Sequence, residues 1–439
     1  MTTYEDTLAY LFGLEVVRGW DLGLGRIRTV LARRGNPERR FASVHVAGTN
    51  GKGSTAAIIE RVLRAAGRRT GLFTSPHLVD FTERMRAGGG TIPPARVVAL
   101  AQALRADIDA AGIPLTHFEF VTVLAFEWFA EIGVEIAVVE VGLGGRLDAT
   151  NVIEPVVTVI TSIALDHEAF LGTTVDAIAR EKAGIAKAGV PLVLGGGLPA
   201  AADAAIVAVA AAVGAPVVRC GQLSVAPTAW AFAGPNDVQW HGRTIGLRGS
   251  FQERNAATAL TTLAVLPTAW RCAPSAVGDG VAATEWPGRL TTVRTAPLVL
   301  LDGAHNPAGA ATLAAELPAL LGDRRAVLVF AVMADKVWDE IMRWLLPFAR
   351  QVIVTQVGRR GLAPTVIADA LRPAVDVTVV PAPRTAVTAA LAAAGPDGAV
   401  VVAGSLFLVG EAYAALFGTT ARLFPEWHGW DGFGTGAPA

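Results

Sequence analysis

Cysteine is nearly missing from this chain. Cys220 and Cys272 are the only two in 439 residues, with no CxxC pair and no histidine beside either. That argues against a disulfide framework or a cysteine-built zinc site and fits a reducing compartment. Charge is sparse too: charged residues make up 17%, the net charge is −1, and lysine and arginine are dispersed with no basic block. Such a distribution leaves no nucleic-acid footprint. The first residues, Met1-Thr-Thr-Tyr-Glu-Asp, lack the basic and apolar regions of a secretion signal. A bilayer span needs roughly 20 consecutive apolar residues. The nearest stretch, 191–218, is broken by Asp203, by Gly195-Gly196-Gly197 and by prolines. It reads as a strand at Pro191–Leu194, a turn, a buried Ala-rich helix and a strand at Pro216–Val218. These absences lead us to expect a cytoplasmic α/β enzyme or binding protein, with neither a membrane nor a nucleic acid as partner.

Apolar sequence, by contrast, is plentiful. Hydrophobic residues reach 52% and mean hydropathy is +0.46. A chain of this length exceeds one ordinary hydrophobic core, so more than one domain is expected. Short β-branched runs alternate with Ala/Leu-rich segments of helical length. The runs are Ser43–Val46, Ile136–Val141, Val156–Ile160, Pro191–Leu194, Leu298–Leu301, Ala326–Phe330, Gln351–Thr355, Val375–Val380 and Ala399–Val402. Apolar runs without alternation predict strands buried on both faces, hence parallel sheets covered by helices such as Ser54–Ala66, Glu119–Ile132, Ala308–Leu321 and Pro383–Ala394. A boundary falls near Trp286-Pro287-Gly288-Arg289, after which a strand, a Gly-containing turn and a helix begin again. We therefore expect a first domain over 1–287, a linker over 288–295 and a second domain over 296–439. Residues 220–248 read as a small antiparallel excursion on the first domain, and the last dozen residues as a tail.

The strongest local signal runs from Val44 to Ser54, where a strand enters Gly48-Thr49-Asn50-Gly51-Lys52-Gly53-Ser54 and a helix begins. Glycines let backbone N–H groups converge on phosphate oxygens, and the helix N-terminus adds partial positive charge. Lys52 can neutralise β/γ-phosphates and Ser54 can bind Mg²⁺. The spacing departs from the strict GxxxxGK[ST] pattern, because Gly53 intervenes between Lys and Ser. Glu140 ends the run Ile136–Val139 and so falls at the carboxyl end of a strand, the edge where open α/β sheets bind ligands. Hard Mg²⁺ prefers oxygen ligands, and Ser54 and Glu140 supply them. On chemistry alone His167 reads as a hydrogen-bonding loop histidine, Lys182 as a solvated lysine in a charged turn, and His305 as a turn-stabilising loop histidine.

The ordered set of motifs says more than any one of them. After the Gly-rich loop come Ser75-Pro76-His77-Leu78, Phe81-Thr-Glu83-Arg84-Met85-Arg86, Phe118-Glu119-Phe120, Glu140-Val-Gly-Leu-Gly-Gly-Arg146-Leu-Asp148-Ala-Thr-Asn151 and Asp166-His167 with Leu171-Gly-Thr. Then follow Glu181-Lys182-Ala-Gly-Ile, Phe251-Gln252 with Asn255-Ala-Ala, Pro287-Gly288-Arg289 and Asp302-Gly-Ala-His305-Asn-Pro307. This series resembles the folate branch of the Mur ligase family, the dihydrofolate synthase/folylpolyglutamate synthase group. The resemblance implies a P-loop ATPase-like, parallel-sheet N-terminal domain plus a smaller Rossmann-like α/β C-terminal domain. It also implies ATP-dependent ligation of L-glutamate to dihydropteroate or to the γ-carboxylate of a reduced folate, through an acyl phosphate.

By the same resemblance, ATP lies on the loop from Gly48 to Ser54 with Asn255 at the adenine, Arg289 at the phosphates and Asp302 at the ribose or phosphate edge. Two Mg²⁺ ions take Ser54, Glu140, His167 and Lys182, the last carrying a CO₂-derived carbamate. Lys52, Lys182 and His305 are the implied catalytic groups. Ser75 and His77 belong to a mobile folate-binding loop, and Thr116, Phe118, Arg146 and Asp148 to the pterin pocket. The pterin-pocket likeness favours a bifunctional enzyme over one that only polyglutamylates. A Mur-type peptide ligase fits less well, since the Gly-rich loop at residue 48 leaves no room before it for a UDP-binding domain. A degenerate ATP-binding module would have lost metal or phosphate residues that are all present here. Asp335-Lys336 matches only part of a family Lys-Asp-Lys stretch, with Ala334 in place of the first lysine, so no role follows for it. The implied partners are small molecules, and the chain is expected to act as a monomer.

Overall fold

In the computed structural model, residues 2–18, 22–358 and 360–418 are described, so the tail read from the last dozen residues lies outside them. The first sheet contains β1 Ala42–Ala47, β2 Thr70–Phe73, β3 Met85–Ala87, β4 Gly90–Thr91, β5 Ile136–Glu140, β6 Val157–Ile160, β7 Leu192–Leu194 and β8 Val217–Arg219. Their order is β4-β3-β2-β5-β1-β6-β7-β8. The six strands from β2 to β8 in that order are parallel, and the β3–β4 hairpin adds an antiparallel edge. Strands β9 Gln222–Ala226, β10 Ala229–Ala233 and β11 Gln239–Gly242 make the small antiparallel sheet expected over 220–248.

The second large sheet comprises β12 Thr291–Thr295, β13 Leu298–Leu301, β14 Ala326–Phe330, β15 Ala349–Val354, β16 Asp376–Val379 and β17 Ala399–Ala403, in the order β12-β13-β17-β14-β15-β16. Only β12 runs antiparallel to its neighbour. The stretch 288–295, read from the sequence as a linker, therefore contains the edge strand of this sheet. The chain changes sheet just before it.

Burial explains why the strands were legible. Along β14, Leu328 and Phe330 face one core while Val327 and Val329 face another, and all four are buried. Successive side chains point to opposite faces of a strand, so a sheet covered on both sides has no polar positions to alternate with. The Ala-rich helix Ala200–Val213 buries only Ala202, Ala205, Ile206 and Ala210 at helical spacing and ends at Gly214 in the left-handed region. Among the described residues no helix is long and apolar enough to cross a membrane.

The carboxyl ends of β1, β5 and β6 deliver Gly48–Lys52, Glu140 and the 161–167 segment to one edge of the first sheet. The carboxyl ends of β13, β14 and β17 deliver 302–306, 331–336 and 404–405 to one edge of the second. The two edges meet, as the contacts below show.

Candidate functional site between the two sheets

The loop after β1 is held in shape by the segment after β6. Thr49 N–H donates to Ser162 O at 2.7 Å, and Asn50 N–H donates to Ser162 Oγ at 2.9 Å. The hydroxyls of Thr161 and Ser162 both donate to Asn50 O, at 2.7 and 2.9 Å. Gly51 sits at φ +84°, where a side chain would also collide with the Asn255 amide. The helix Lys52–Ala65 starts directly after it, with its N-terminus at the loop. Gly53 lies under the Trp286 indole, and Ser54 is buried one residue further on.

Charged groups collect around this loop. Lys52 Nζ donates to Thr49 O at 3.2 Å and stands 3.9 Å from Glu140 Oε1. Burial raises the Glu140 carboxyl above its ordinary range, and Lys52 opposes that rise. Ser75 N–H donates to Glu140 Oε2 at 3.3 Å, which brings the 75–86 segment to the same carboxylate. Lys182 is 5% exposed, and its Nζ donates to Gly48 O at 3.0 Å beneath the loop. The solvated lysine expected from its local sequence is thus a buried one. Burial, helped by the Lys52 charge, brings its ammonium down to about 7.

Arg289 and Asp302 are neighbours at the start of the second domain. Both oxygens of Asp302 accept backbone N–H groups, from Leu290 at 2.7 Å and Ala304 at 2.8 Å. Burial lowers the Arg289 guanidinium, opposed by the charges of Asp302 and Glu140. His167 takes a left-handed conformation at φ 52° and heads a short helix. Burial pushes its imidazole down to about 4. His305 Nδ1–H donates to Gly303 O at 2.8 Å, leaving Nε2 at 3.6 Å from Asp166 Oδ2.

A cleft opens beside the loop, lined in part by Gly53, Ser75, His77, Glu140, Trp286 and Arg289. Arg84 Nε–H donates to His77 Nδ1 at 2.9 Å, so the proton of the neutral ring is on Nε2. Burial, with Arg84 beside it, holds the His77 imidazolium form well below its usual range. The Phe118 ring occupies the space where a side chain on Gly142 would go. Thr116 caps the helix His117–Glu131 by accepting from Glu119 N. Asp148 accepts from Leu143 N at 2.8 Å and from Thr150 N at 3.0 Å, so its carboxylate shapes the turn after β5. Arg146 pairs with Glu181 at 2.9 Å and is half exposed.

Three contributors escaped the sequence reading. Asn306 exchanges two hydrogen bonds of 3.1 Å with Asn50, caps the helix Pro307–Leu321, and donates to Asp166 at 3.0 Å. Lys336 Nζ lies 2.6 Å from Asp166 Oδ1. Asp166 and Asn306 stood inside recognised motifs without a role, and no local pattern pairs either with Lys336. Asp166 is driven well below the carboxylate range: burial alone would raise it, but His305, Lys336 and His167 together prevail.

Family models agree with this architecture. The Mur ligase middle domain matches residues 46–192, and the Mur ligase glutamate ligase domain matches residues 288–406. The chain is 36% identical over 432 residues to folylpolyglutamate synthase of Lacticaseibacillus casei, covering 94% of this chain and 99% of the relative. It is 38% identical over 344 residues to dihydrofolate synthase/folylpolyglutamate synthase of Escherichia coli, covering 77% and 78%. The solved E. coli FolC in complex with DHPP and ADP superposes with a TM-score of 0.84 at 33% identity, covering 93% of this chain and 97% of that one. Two family models in the order of the two sheets, and relatives matched over most of their length, leave one assignment: the chain belongs to the Mur ligase family, in its dihydrofolate synthase/folylpolyglutamate synthase branch.

Proposed function

We infer that this chain is an ATP-dependent ligase that joins the amine of L-glutamate to a folate-type carboxylate, releasing ADP and phosphate. Oxide is a very poor leaving group, so a carboxylate must be activated before an amine can displace its oxygen. The acceptor carboxylate attacks the γ-phosphorus of ATP, the bond to ADP breaks, and an acyl phosphate results. The glutamate amine then adds to the acyl carbon, loses its proton, and the tetrahedral intermediate expels phosphate to leave an amide.

The protein's part is positional and electrostatic. Gly48, Thr49, Asn50, Gly51, Gly53 and Ser54 cradle the phosphates at the helix N-terminus, and Lys52 and Arg289 spread the charge on the transferring group. Asn255 takes the adenine end, and Asp302 fixes the backbone beside Arg289. Mg²⁺ fits here, since Ser54 and Glu140 offer hard oxygen donors, and the Glu140 carboxylate already faces the Lys52 ammonium and the Ser75 N–H. When bound it neutralises phosphate charge; His167 and Lys182 would serve a second ion.

Lys182 suits carbamylation. A desolvated amine with its ammonium near 7 is substantially neutral at physiological pH and can add to CO₂, releasing one proton. The carbamate nitrogen keeps one N–H, enough to retain the bond to Gly48 O.

Acceptor selection falls to Ser75 and His77, which line the cleft, and to Phe118, Arg146 and the turns held by Thr116 and Asp148. We assign both dihydropteroate and reduced folate glutamates as acceptors, as the name of the E. coli relative suggests. The observation that carries the reading is the reciprocal Asn50–Asn306 pair, which sets the carboxyl edge of the second sheet directly against a phosphate-binding loop. An active site that spans two domains can exclude the water that would hydrolyse an acyl phosphate. The test is ATP turnover with glutamate and either dihydropteroate or tetrahydrofolate, with products identified by mass. Dihydrofolate and a tetrahydrofolate lengthened by one glutamate are expected, and ADP release without either product would refute the reading.

A further inference from the structure

Asp166 joins the two domains more densely than any residue assigned to substrate so far. It belongs to the first domain, just after β6. One oxygen is 2.6 Å from Lys336 Nζ, and the other accepts from Asn306 Nδ2 at 3.0 Å and faces His305 Nε2 at 3.6 Å. All three partners come from the second domain, from the loops after β13 and β14. The side chains of Asp166 and Lys336 are 6% and 8% exposed. Asn306 extends the join to the phosphate-binding loop through Asn50.

We propose that Asp166 and Lys336 form a latch, with Asn306 as its hinge pin, that holds the second domain closed over the phosphate-binding loop. It deepens the ligase reading, because closure is what protects the acyl phosphate and brings His305 to the cleft. Lys336 is thus a positioning residue, which gives the orphaned Asp335-Lys336 motif a task.

The chemistry suits a device that must open again. Taking two charges out of water costs nearly what their attraction returns, so a buried pair is close to balanced against two separately hydrated ions. Pulled apart, Asp166 and Lys336 would both regain water. A ligand that favours the closed form by a modest margin can then decide the equilibrium, as population shift requires. An apolar contact of similar size would not release its partners so readily.

The test compares Lys336→Met, Asp166→Asn and the double variant with the wild type. Small-angle X-ray scattering with a non-hydrolysable ATP analogue reads compaction, and steady-state kinetics reads glutamate use. Each single variant should scatter as a more extended particle and lose roughly 5- to 150-fold in kcat/KM for glutamate, the usual span of site-to-site coupling. Analogue binding at the phosphate loop should change little. The double variant should be no worse than the poorer single, because both remove the same contact. Lys336→Arg should recover compaction, which distinguishes a lost charge from a lost fold. Should Lys336→Met not fold, Asp166→Asn carries the same expectation, since it keeps the shape beside Asn306. The latch is overturned by a compact, fully active Lys336→Met, or by effects of the two singles that multiply in the double. A wild type that compacts yet ligates no glutamate would sink the ligase reading and leave the latch standing.

Discussion

The Trp286 indole lies where a side chain on Gly53 would have to be: a Cβ there would come within 2.8 Å of Nε1 and 2.9 Å of Cζ2. The residue that separates Lys52 from Ser54 is glycine because a bulky ring from the domain junction closes over the first turn of the helix. Gly53→Ala should therefore push Trp286 aside, widen the cleft and cost about 1–3 kcal/mol of stability, as overpacking does. Trp286→Ala in the same chain should recover most of that stability. Thermal unfolding of the single and double variants measures both; a neutral Gly53→Ala would mean the ring yields freely.

Lys52→Ala removes a charge and no core volume. It should leave the melting temperature nearly unchanged and lower turnover by roughly a hundred- to a thousand-fold, the loss seen when one transition-state contact is deleted. Near-normal turnover would show that the loop does not hold the transferring phosphate.

Lys182→Ala should abolish most turnover while ATP analogue binding survives. Formate or acetate can enter the vacated space and should restore part of the activity by supplying a carboxylate. A lysine needed only for packing gives a damaged variant that no carboxylate rescues. Turnover of the variant with and without formate separates these cases, and full activity without additive would end the carbamate assignment.

Two buried histidines predict a pH dependence of stability. Burial brings His45 down to about 3 and His117 to about 4. The unfolded chain binds their protons below about pH 6.5 and the folded chain does not, so stability falls as pH drops from 6.5 toward 4. Each ring contributes at most about 1.4 kcal/mol per pH unit. His45 Nε2–H donates to Thr150 Oγ1, whose proton goes to Asp148. His45→Asn should flatten the decline, measured by denaturant unfolding across that range, and an unchanged slope would assign it to other groups.

The strands and the Gly-rich strand–helix turn were readable from sequence for local reasons. Strands such as β14 and β17 are apolar on both faces, and a Gly-rich turn between strand and helix advertises itself. Strands β3 and β4 are only three and two residues long, and edge strand β12 is polar and largely unburied, so no apolar run marks them. Lys182 looked solvated because its neighbours in sequence are charged; its burial comes from packing beneath Gly48, 134 positions away. Asp166 and Lys336 are 170 positions apart, and only the meeting of two sheet edges pairs them.

Helix Leu406–Phe417 of the second domain passes so close to the 75–86 segment that Gly410 has no room for a side chain beside Leu78 O. Leu78 and Val79 pack into the core formed by Val409, Ala412 and their neighbours. The 75–86 segment and that helix consequently fit as one packed unit, although more than three hundred residues of chain lie between them. Grafting 75–86 from a relative to change acceptor choice would set a foreign ridge against an unmatched groove. A chimera that also carries the donor's 406–417 keeps the surfaces paired, so the unit to transplant is discontinuous in sequence and crosses the domain boundary.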